Sequence, residues 1–379
     1  MIIDSHLYCF EPLDNARGYS SSAEHLGWAQ SGHASHHQPA IRISDGAHGP
    51  SEILDPAGTF RSDGLPDVGF ELDKKRGRVV WNYEGTDYTK YFMPPNQHNC
   101  ESTPYSLDCE MHYAGVDVAL MHTDPMLVRD SSFLGEIVEE FPQRFCAMAP
   151  VDEWRLLSEM DAVIAETVRA IEKHRLHAIK FIPPLCYLIS NDPWDDGPYR
   201  PFWEAVRDLG VPVFFTLGTC PEEFGRNAHS KQEQRHGYME EQRILVRWME
   251  RYPELTCSLT HGFPWRAFLN DEGRFELPDE LWEPFWGENC NLEVCFPVRI
   301  GDLFDYPYRE VWAVLEELIQ HVGPAHLLWG TDMPFQNRFC TYRQSRKWIE
   351  VDFAKAVGLE KRDLDMIMGG TCARLLGIS

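Results

Sequence analysis

Short apolar runs alternate with amphipathic segments along most of this chain. The runs end at glycine, proline or a polar residue, which is typical of buried parallel strands. They occupy residues 2–4, 116–121, 144–150, 178–183, 211–216, 255–261, 291–296 and 327–329. Between them apolar residues recur at helical spacing, most clearly at positions 160, 163, 164, 168 and 171 of the segment 157–173. The other predicted helices cover residues 107–114, 132–141, 202–209, 240–251, 311–322, 342–357 and 361–368, before a last short helix.

This alternation predicts a parallel sheet with helices packed on it. Eight such units close into a TIM (β/α)8 barrel of about 250 residues. Residues 105–379 together with the first strand fit that size, so we expect one barrel domain over residues 1–379.

Residues 13–104 break the alternation and are rich in Gly, Ser, His, Asp and Pro. Glu84-Gly85 separates two strand-like runs, 78–83 and 86–92, which predicts a β-hairpin. We therefore expect a partly β cap, inserted after strand 1, that forms a lid over the carboxyl face. Five histidines crowd the first half of the cap, and their spacing favours a polar loop over a metal site, since no pair has ligand spacing on one element. They are His25, His33, His36, His37 and His48.

The formal net charge of −24 limits the classes of partner that are expected. Nucleic acid and anionic membranes both need a basic surface, so neither is expected as a partner. No apolar run reaches the roughly 18 residues of a membrane helix, and the first residues lack the basic and apolar regions of a signal peptide. The eleven cysteines include no CxxC pair. We expect a cytoplasmic protein. A small acidic substrate is still compatible with this charge, because a few local arginines can outweigh the net charge.

Polar residues at the carboxyl ends of barrel strands are the candidates for chemistry, because TIM-barrel active sites are built there. Asp332 is the clearest, since it follows the apolar strand 327–329 at a glycine break. The candidates are His6, Tyr8, His122, Asp124, Asp152, Lys180, Thr216, Thr219, His261, Glu293 and Asp332.

Several of these residues also have structural interpretations. His122 and Asp152 would cap the following helices, and Thr216 would fill the barrel. Glu293 lies inside an apolar run, where an ion pair with Lys180 or with an arginine of the barrel and a functional role are equally compatible with the pattern.

Several segments together resemble a known family. They are Ile2-Ile-Asp-Ser-His6, Ala114-Gly-Val-Asp117, Ile179-Lys-Phe-Ile-Pro-Pro184, Phe202-Trp-Glu-Ala205, Leu209-Gly-Val-Pro-Val213, Thr260-His-Gly262, Trp329-Gly-Thr-Asp-Met-Pro334 and Gly369-Gly-Thr-Cys-Ala-Arg-Leu-Leu-Gly377. In register they resemble the amidohydrolase-related family that contains the aminocarboxymuconate-semialdehyde and γ-resorcylate decarboxylases. The resemblance implies a homodimer or homotetramer.

The resemblance also implies a single divalent metal, zinc or manganese, at the carboxyl face. His6 and Asp332 match two of the family's ligands, and His261 matches a catalytic histidine that ends strand 6. Tyr8 and Thr216 stand where the family carries further histidine ligands. A phenol and a hydroxyl are poor neutral ligands for zinc, so the family's ligand set is altered here.

Three functions remain open on these residues. The first is a lyase that decarboxylates a small cyclic or aromatic acid, with His261, Asp332 and His6 as an acid–base cluster and Tyr8 as a hydrogen-bond donor. The second is a metal-assisted hydrolase or hydratase of a C–C, lactone or amide bond. The third is a non-catalytic barrel that binds a small molecule.

The substrate would be held by cationic and aromatic side chains. Arg299 and Arg338 follow strand ends and suit a carboxylate, and Trp81 and Phe296 suit a planar ring. Lys180 offers a cation for a carboxylate or, when desolvated, an amine for a Schiff base.

Overall fold

The structure is a computed structural model that describes residues 1–95, 97–218 and 230–378. Eight parallel strands form one sheet in the order β1-β7-β8-β9-β10-β11-β12-β13. Their bounds are β1 Ile3–Leu7, β7 Val118–Met121, β8 Phe145–Ala149, β9 Ala178–Phe181, β10 Val213–Phe215, β11 Cys257–Leu259, β12 Cys290–Val294 and β13 Leu327–Trp329. Leu7 bridges in parallel to Met333, just beyond β13, which brings the last strand back to the first. The predicted TIM barrel is confirmed.

The helices between the strands follow the predicted order, except that a short helix over residues 296–300 was not predicted. They are α2 Pro104–Ala114, α3 Ser131–Glu140, α4 Leu156–Glu172, α5 Arg200–Leu209, α6 Lys231–Arg251, α7 Phe296–Ile300, α8 Trp312–His321, α9 Tyr342–Lys347, α10 Ala354–Val357, α11 Lys361–Asp365 and α12 Thr371–Leu376. Two π-helical turns, Trp348–Phe353 and Met366–Gly370, join α9 to α10 and α11 to α12. Within the described ranges no helix is long and apolar enough to cross a membrane.

The barrel interior is apolar at one level and polar at the next. Leu120 and Ala178 pack with Phe214 in an interior cluster to which Cys372 of α12 contributes. Because side chains alternate along a strand, the residues two positions later, His122 and Lys180, lie on the same side at the carboxyl ends. This alternation builds the polar site directly on the apolar barrel core.

The inserted segment folds as one helix and a small antiparallel sheet. Helix α1 (Ser22–Ser35) precedes five strands in the order β3-β2-β6-β5-β4, which are β2 Ala40–Arg42, β3 His48–Gly49, β4 Glu71–Asp73, β5 Arg78–Tyr83 and β6 Thr86–Lys90. The predicted hairpin is present, with Tyr83 opposite Thr86. Helix α1 was not predicted, although Ser21 and Glu24 form the S-x-x-E start signal and the Ser21 side chain accepts a hydrogen bond from the Glu24 N–H.

Candidate functional site

Three side chains from three strand ends converge at the carboxyl face of the barrel. Nε2 of His6 lies 3.4 Å from Oδ1 of Asp332, and Nε2 of His261 lies 3.7 Å from the same oxygen. The imidazole rings of His6 and His261 are 4.4 Å apart between centroids. The structure therefore brings together the three residues singled out from the sequence.

Strained backbone aims two of these side chains. His261 has φ 62° and Asp332 has φ 63°, a left-handed conformation that costs energy for residues other than glycine. Both residues follow the last regular position of their strands closely, so the turn directs each side chain across the mouth. Gly330 allows the chain beyond β13 to pass this close to β1. A Cβ at residue 330 would lie 3.0 Å from Cβ of His6 and 2.9 Å from Oγ of Ser5.

Glu293 positions two residues of this cluster through hydrogen bonds. This fully buried carboxylate accepts a hydrogen bond from Nδ1 of His6 at 2.8 Å and another from the backbone N–H of His261 at 2.9 Å. With Nδ1 donating to Glu293, Nε2 of His6 carries a free lone pair that faces Asp332. The ambiguity about Glu293 in the sequence is resolved in favour of contacts with these two histidines.

A second set of polar side chains lies behind His6. The ring of His122 stacks on that of His6 with centroids 3.5 Å apart. Nε2 of His122 donates to the Ser5 carbonyl at 2.8 Å, so its Nδ1 accepts from the Lys180 ammonium at 3.0 Å. Lys180 also donates to Oγ1 of Thr260 at 3.3 Å. His122 is thus fixed as a neutral ring that separates Lys180 from His6.

Burial and neighbouring charge set the protonation of these groups. Burial lowers the pKa of the His6 and His122 imidazoles well below the ordinary value. Burial also lowers the pKa of Lys180 to about 8, against the opposing pull of Glu293 and Asp124. Burial alone would raise the pKa of Asp332, but the hydrogen bond and charge of His261, with His6 nearby, hold it at about 2. At neutral pH Asp332 is therefore a carboxylate, and His6 beside it is a neutral imidazole.

The same three donors suit a divalent metal. Nε2 of His6 is buried without a hydrogen-bond partner, which is costly unless a ligand takes its lone pair. One ligand atom from each of His6, His261 and Asp332 lies within 4.8 Å of the others. Tetrahedral zinc with bonds of about 2.0 Å separates its ligands by about 3.3 Å, close to the distances from Asp332. A second group, His6 with His122 and Glu293, meets the same spacing but fits worse, because Nε2 of His122 already donates its proton to Ser5.

The two altered family positions lie close to the cluster but outside this donor set. Tyr8 is almost fully buried, with its ring 5.3 Å from His6 and 5.8 Å from Phe335. Burial, followed by the charge of Asp332, raises the pKa of its phenol well above the usual value, so Tyr8 is a neutral donor. The Thr216 hydroxyl shares a hydrogen bond of 2.6 Å with Thr260, in keeping with barrel filling.

A cavity of about 430 Å³ lies between the cap and the barrel mouth. Arg266 and Arg299 line it from the barrel, and His36 and His37 line it from the cap. Asp124 and Trp265 complete its polar and aromatic walls. Because the cap supplies part of the wall, the inserted segment contributes to the size and shape of the cavity.

Cationic groups around this cavity are only partly neutralised. Arg266 forms an ion pair with Asp302, and its Nε donates to the Arg299 carbonyl at 3.1 Å. Neither Arg299 nor Arg338 has an ion pair within residues 1–95, 97–218 and 230–378. Burial lowers the pKa of both guanidinium groups, although Asp332 opposes the shift. In a chain of −24 net charge, two unpaired guanidinium groups near Asp332 mark a place for an anion.

Other predicted site residues lie elsewhere. Trp81 is buried in the cap core with Ala40 and Val79, which corrects the expectation that it contacts a ring substrate. Phe296 is fully buried and packs 4.5 Å from Trp265, so it supports the cavity wall from behind. Asp152 pairs with Arg129 and Arg155, away from the cluster, and Thr219 lies outside the described residues.

The contribution of the cap histidines was missed from the sequence. His25 and His33 point their rings to backbone carbonyls on or near α1, at 2.7 Å in each case, as structural histidines do. His36 and His37, by contrast, lie at the end of the helix and line the cavity. The missed signal is helix α1. Its start signal at Ser21 would have identified the segment as a helix, with His36 and His37 just beyond its last residue.

Comparison with known proteins agrees with the barrel fold. A family model described as amidohydrolase matches residues 130–378. This chain belongs to the amidohydrolase family. The expected family membership is confirmed. No curated protein matches the chain.

Solved structures resemble it at low identity. An amidohydrolase from Burkholderia multivorans with bound zinc is 15% identical, with 74% of this chain and 89% of that chain covered and a TM-score of 0.56. A probable 2-pyrone-4,6-dicarboxylic acid hydrolase from Acinetobacter baumannii with bound citric acid is 12% identical, with 100% and 99% covered and a TM-score of 0.53. A 2,6-dihydroxybenzoate decarboxylase in complex with 2,6-dihydroxybenzoate is 18% identical, with 74% and 90% covered and a TM-score of 0.50. At these identities the likeness establishes the fold.

Proposed function

We propose that this protein is a lyase that decarboxylates a small cyclic or aromatic carboxylic acid at the carboxyl face of its barrel. The observation that carries the proposal is the convergence of His6, His261 and Asp332, together with the Arg299 guanidinium, whose pKa responds to the charge of Asp332 and which has no ion pair among the described residues. One end of this arrangement suits proton transfer, and the other suits a carboxylate. Aromatic walls from Trp265 and its neighbours suit a flat ring between them.

Each residue has a role that follows from its contacts. Arg299 binds the substrate carboxylate through its two-pronged donor geometry. His261, partly exposed at the mouth, delivers a proton to the ring carbon that loses carbon dioxide. Asp332 holds the His261 ring in place, and the neutral phenol of Tyr8 donates a hydrogen bond to negative charge that develops on the substrate.

In a separate arrangement, in which His261 is a ligand and does not deliver the proton, His6, His261 and Asp332 would hold a divalent metal of the zinc type, with Glu293 fixing the His6 ring. When bound, such an ion withdraws electron density from a coordinated oxygen or lowers the pKa of a coordinated water. Lys180 is shielded from this position by the stacked ring of His122, which disfavours a Schiff-base role.

Hydrolysis of a lactone, amide or C–C bond is the second candidate. It is favoured by the buried, unpartnered Nε2 of His6, because that atom completes a donor set able to activate water. A barrel that only binds its ligand is the third candidate. It gives no reason for the strained backbone conformations of His261 and Asp332.

Product analysis separates these candidates. A panel of cyclic acids carrying carbon-13 in the carboxyl group is incubated with the protein and followed by nuclear magnetic resonance. Decarboxylation releases the label as carbon dioxide and bicarbonate, whereas hydrolysis keeps it in an opened product. We expect label release that disappears in His261→Gln and persists in His112→Gln, an exposed control on α2. Label release that is equal in His261→Gln would overturn the assignment.

A further inference from the structure

Asp4 is a fully buried acid of β1, two residues before His6, to which no role has yet been given. Its Oδ1 accepts hydrogen bonds from the backbone N–H groups of His6 and Thr331, at 3.0 Å each. Its Oδ2 accepts from the Thr331 hydroxyl at 2.5 Å and from the Tyr342 hydroxyl at 2.7 Å. This one carboxylate therefore joins β1, the turn that follows β13 and helix α9.

The strained turn at Asp332 is held on both sides by these contacts. The Thr331 hydroxyl, which donates to Asp4, also accepts from the Met333 N–H at 3.1 Å, so both neighbours of Asp332 are tied to the buried acid. The Asp332 N–H itself donates to the His6 carbonyl at 2.7 Å. Because a residue with φ 63° keeps that conformation only where its surroundings fix it, the turn depends on these hydrogen bonds.

A neutral side chain of the same shape would not satisfy the four donors around Asp4. Asparagine would offer one oxygen to the two N–H groups, but its NH2 group would face the two hydroxyls. Among the residues that the structure describes, no lysine, arginine or histidine forms an ion pair with Asp4. A buried carboxylate without a cation is costly, so the four hydrogen bonds are the reason for an acid at this position.

We propose that Asp4 is a positioning residue, which fixes His6 and Asp332 at the separation of two ligands of one divalent metal. The distance of 3.4 Å between Nε2 of His6 and Oδ1 of Asp332 depends on the two backbone segments that Asp4 joins. Glu293 orients the ring of His6, whereas Asp4 sets the spacing of the segments. Asp4 is not itself a ligand, because both of its oxygens are occupied. This inference rests on the metal arrangement described with the proposed function.

Zinc affinity, measured by competition with a chromophoric chelator, tests this role. Burial raises the pKa of Asp4 to about 7, so the titrations are run at about pH 8.5, where Asp4 is a carboxylate. We expect Asp4→Asn and Thr331→Val each to weaken zinc binding by at least about tenfold, as the loss of a partner that orients metal ligands does. Thr331→Val keeps the shape of the side chain and decides the test if Asp4→Asn does not fold.

Tyr342→Phe is the matched control. It removes a hydroxyl from the same oxygen of Asp4 that Thr331 contacts, but this hydroxyl belongs to α9 and not to the turn. Its zinc affinity should stay within about twofold of wild type, although its midpoint of urea unfolding falls. Cobalt(II) bound in place of zinc gives a spectroscopic signature of ligand geometry, which should change in Asp4→Asn and Thr331→Val and stay unchanged in Tyr342→Phe.

The outcomes separate this role from the proposed function. If Asp4→Asn and Thr331→Val bind zinc as tightly as wild type, or if Tyr342→Phe loses as much affinity as they do, the positioning role is wrong and the proposed function stands. The same holds if the wild-type protein binds no zinc at about 10 μM free metal. If zinc affinity follows the expected order but no acid of the labelled panel releases its carboxyl group, the positioning role stands and the proposed function is wrong.

Discussion

Replacing Glu293 with glutamine tests how the His6 ring is held. The carboxylate accepts from Nδ1 of His6 at 2.8 Å and from the His261 N–H at 2.9 Å. Both bonds use the same oxygen, Oε2, so the carbonyl oxygen of glutamine can still accept them, but the negative charge that strengthens them is lost and an NH2 group takes the place of Oε1 beside Oγ of Ser5 and Nε2 of His122. Both hydrogen bonds are therefore weakened in a fully buried place, where the loss of the charge is felt most.

The expected magnitude follows from the role of Glu293 as the outer partner of a proposed metal ligand. Removing such a partner typically weakens metal binding by about 10-fold to 100-fold. This corresponds to about 1.4–2.7 kcal/mol of binding free energy. The backbone contact to His261 adds to the loss, because His261 is a second proposed ligand.

Zinc affinity is measured by competition with a chromophoric chelator, with no need for a known substrate. Glu241→Gln is the matched control, since Glu241 is also a fully buried glutamate but hydrogen-bonds Trp194 and Tyr187 outside the cluster. We expect weaker zinc binding in Glu293→Gln and wild-type binding in the control. Equal zinc affinity in wild type and Glu293→Gln would refute this account of how His6 is positioned.

Two further predictions concern stability. Burial raises the pKa of Glu241 from 4.5 to about 7, against the hydrogen bonds from Trp194 and Tyr187. Between these values the folded protein keeps a proton that the unfolded chain has lost, so this group's contribution falls by about 3 kcal/mol as pH rises from 4.5 to about 7. Urea unfolding across this range should show that decline in wild type relative to Glu241→Gln; parallel curves would contradict it. Gly330→Ala should lower the free energy of unfolding by about 1–3 kcal/mol in the same assay, because the added Cβ would crowd Ser5 and His6. Unchanged stability would contradict this and show that the backbone at the end of β13 can shift to accommodate the methyl group.

The barrel was predictable because each strand is an apolar run with a clear end. Asp332 and His261 were likewise visible as polar residues just beyond such ends. Helix α1 was not, because its buried face includes Gly27, Gln30 and His33, which give no apolar stripe.

The partners of a buried group were also beyond the sequence. Nothing in the chain order indicates that Glu293 would accept from both His6 and His261, since these contacts span β1, β12 and the end of β11. The environment of Trp81 was also not predictable from the sequence. An aromatic residue on a predicted hairpin faces either a cavity or a core, and Trp81 faces the core of the cap.

The most direct test of the central claim is the turnover of a carboxylic acid by Asp332→Asn. The account makes Asp332 the acid that joins His6 and His261 in one reaction centre. Asparagine keeps the shape but removes the charge, so kcat/KM should fall at least about a hundredfold while the protein remains folded. Turnover within about twofold of wild type would contradict the account, because the cluster would then have no part in the chemistry.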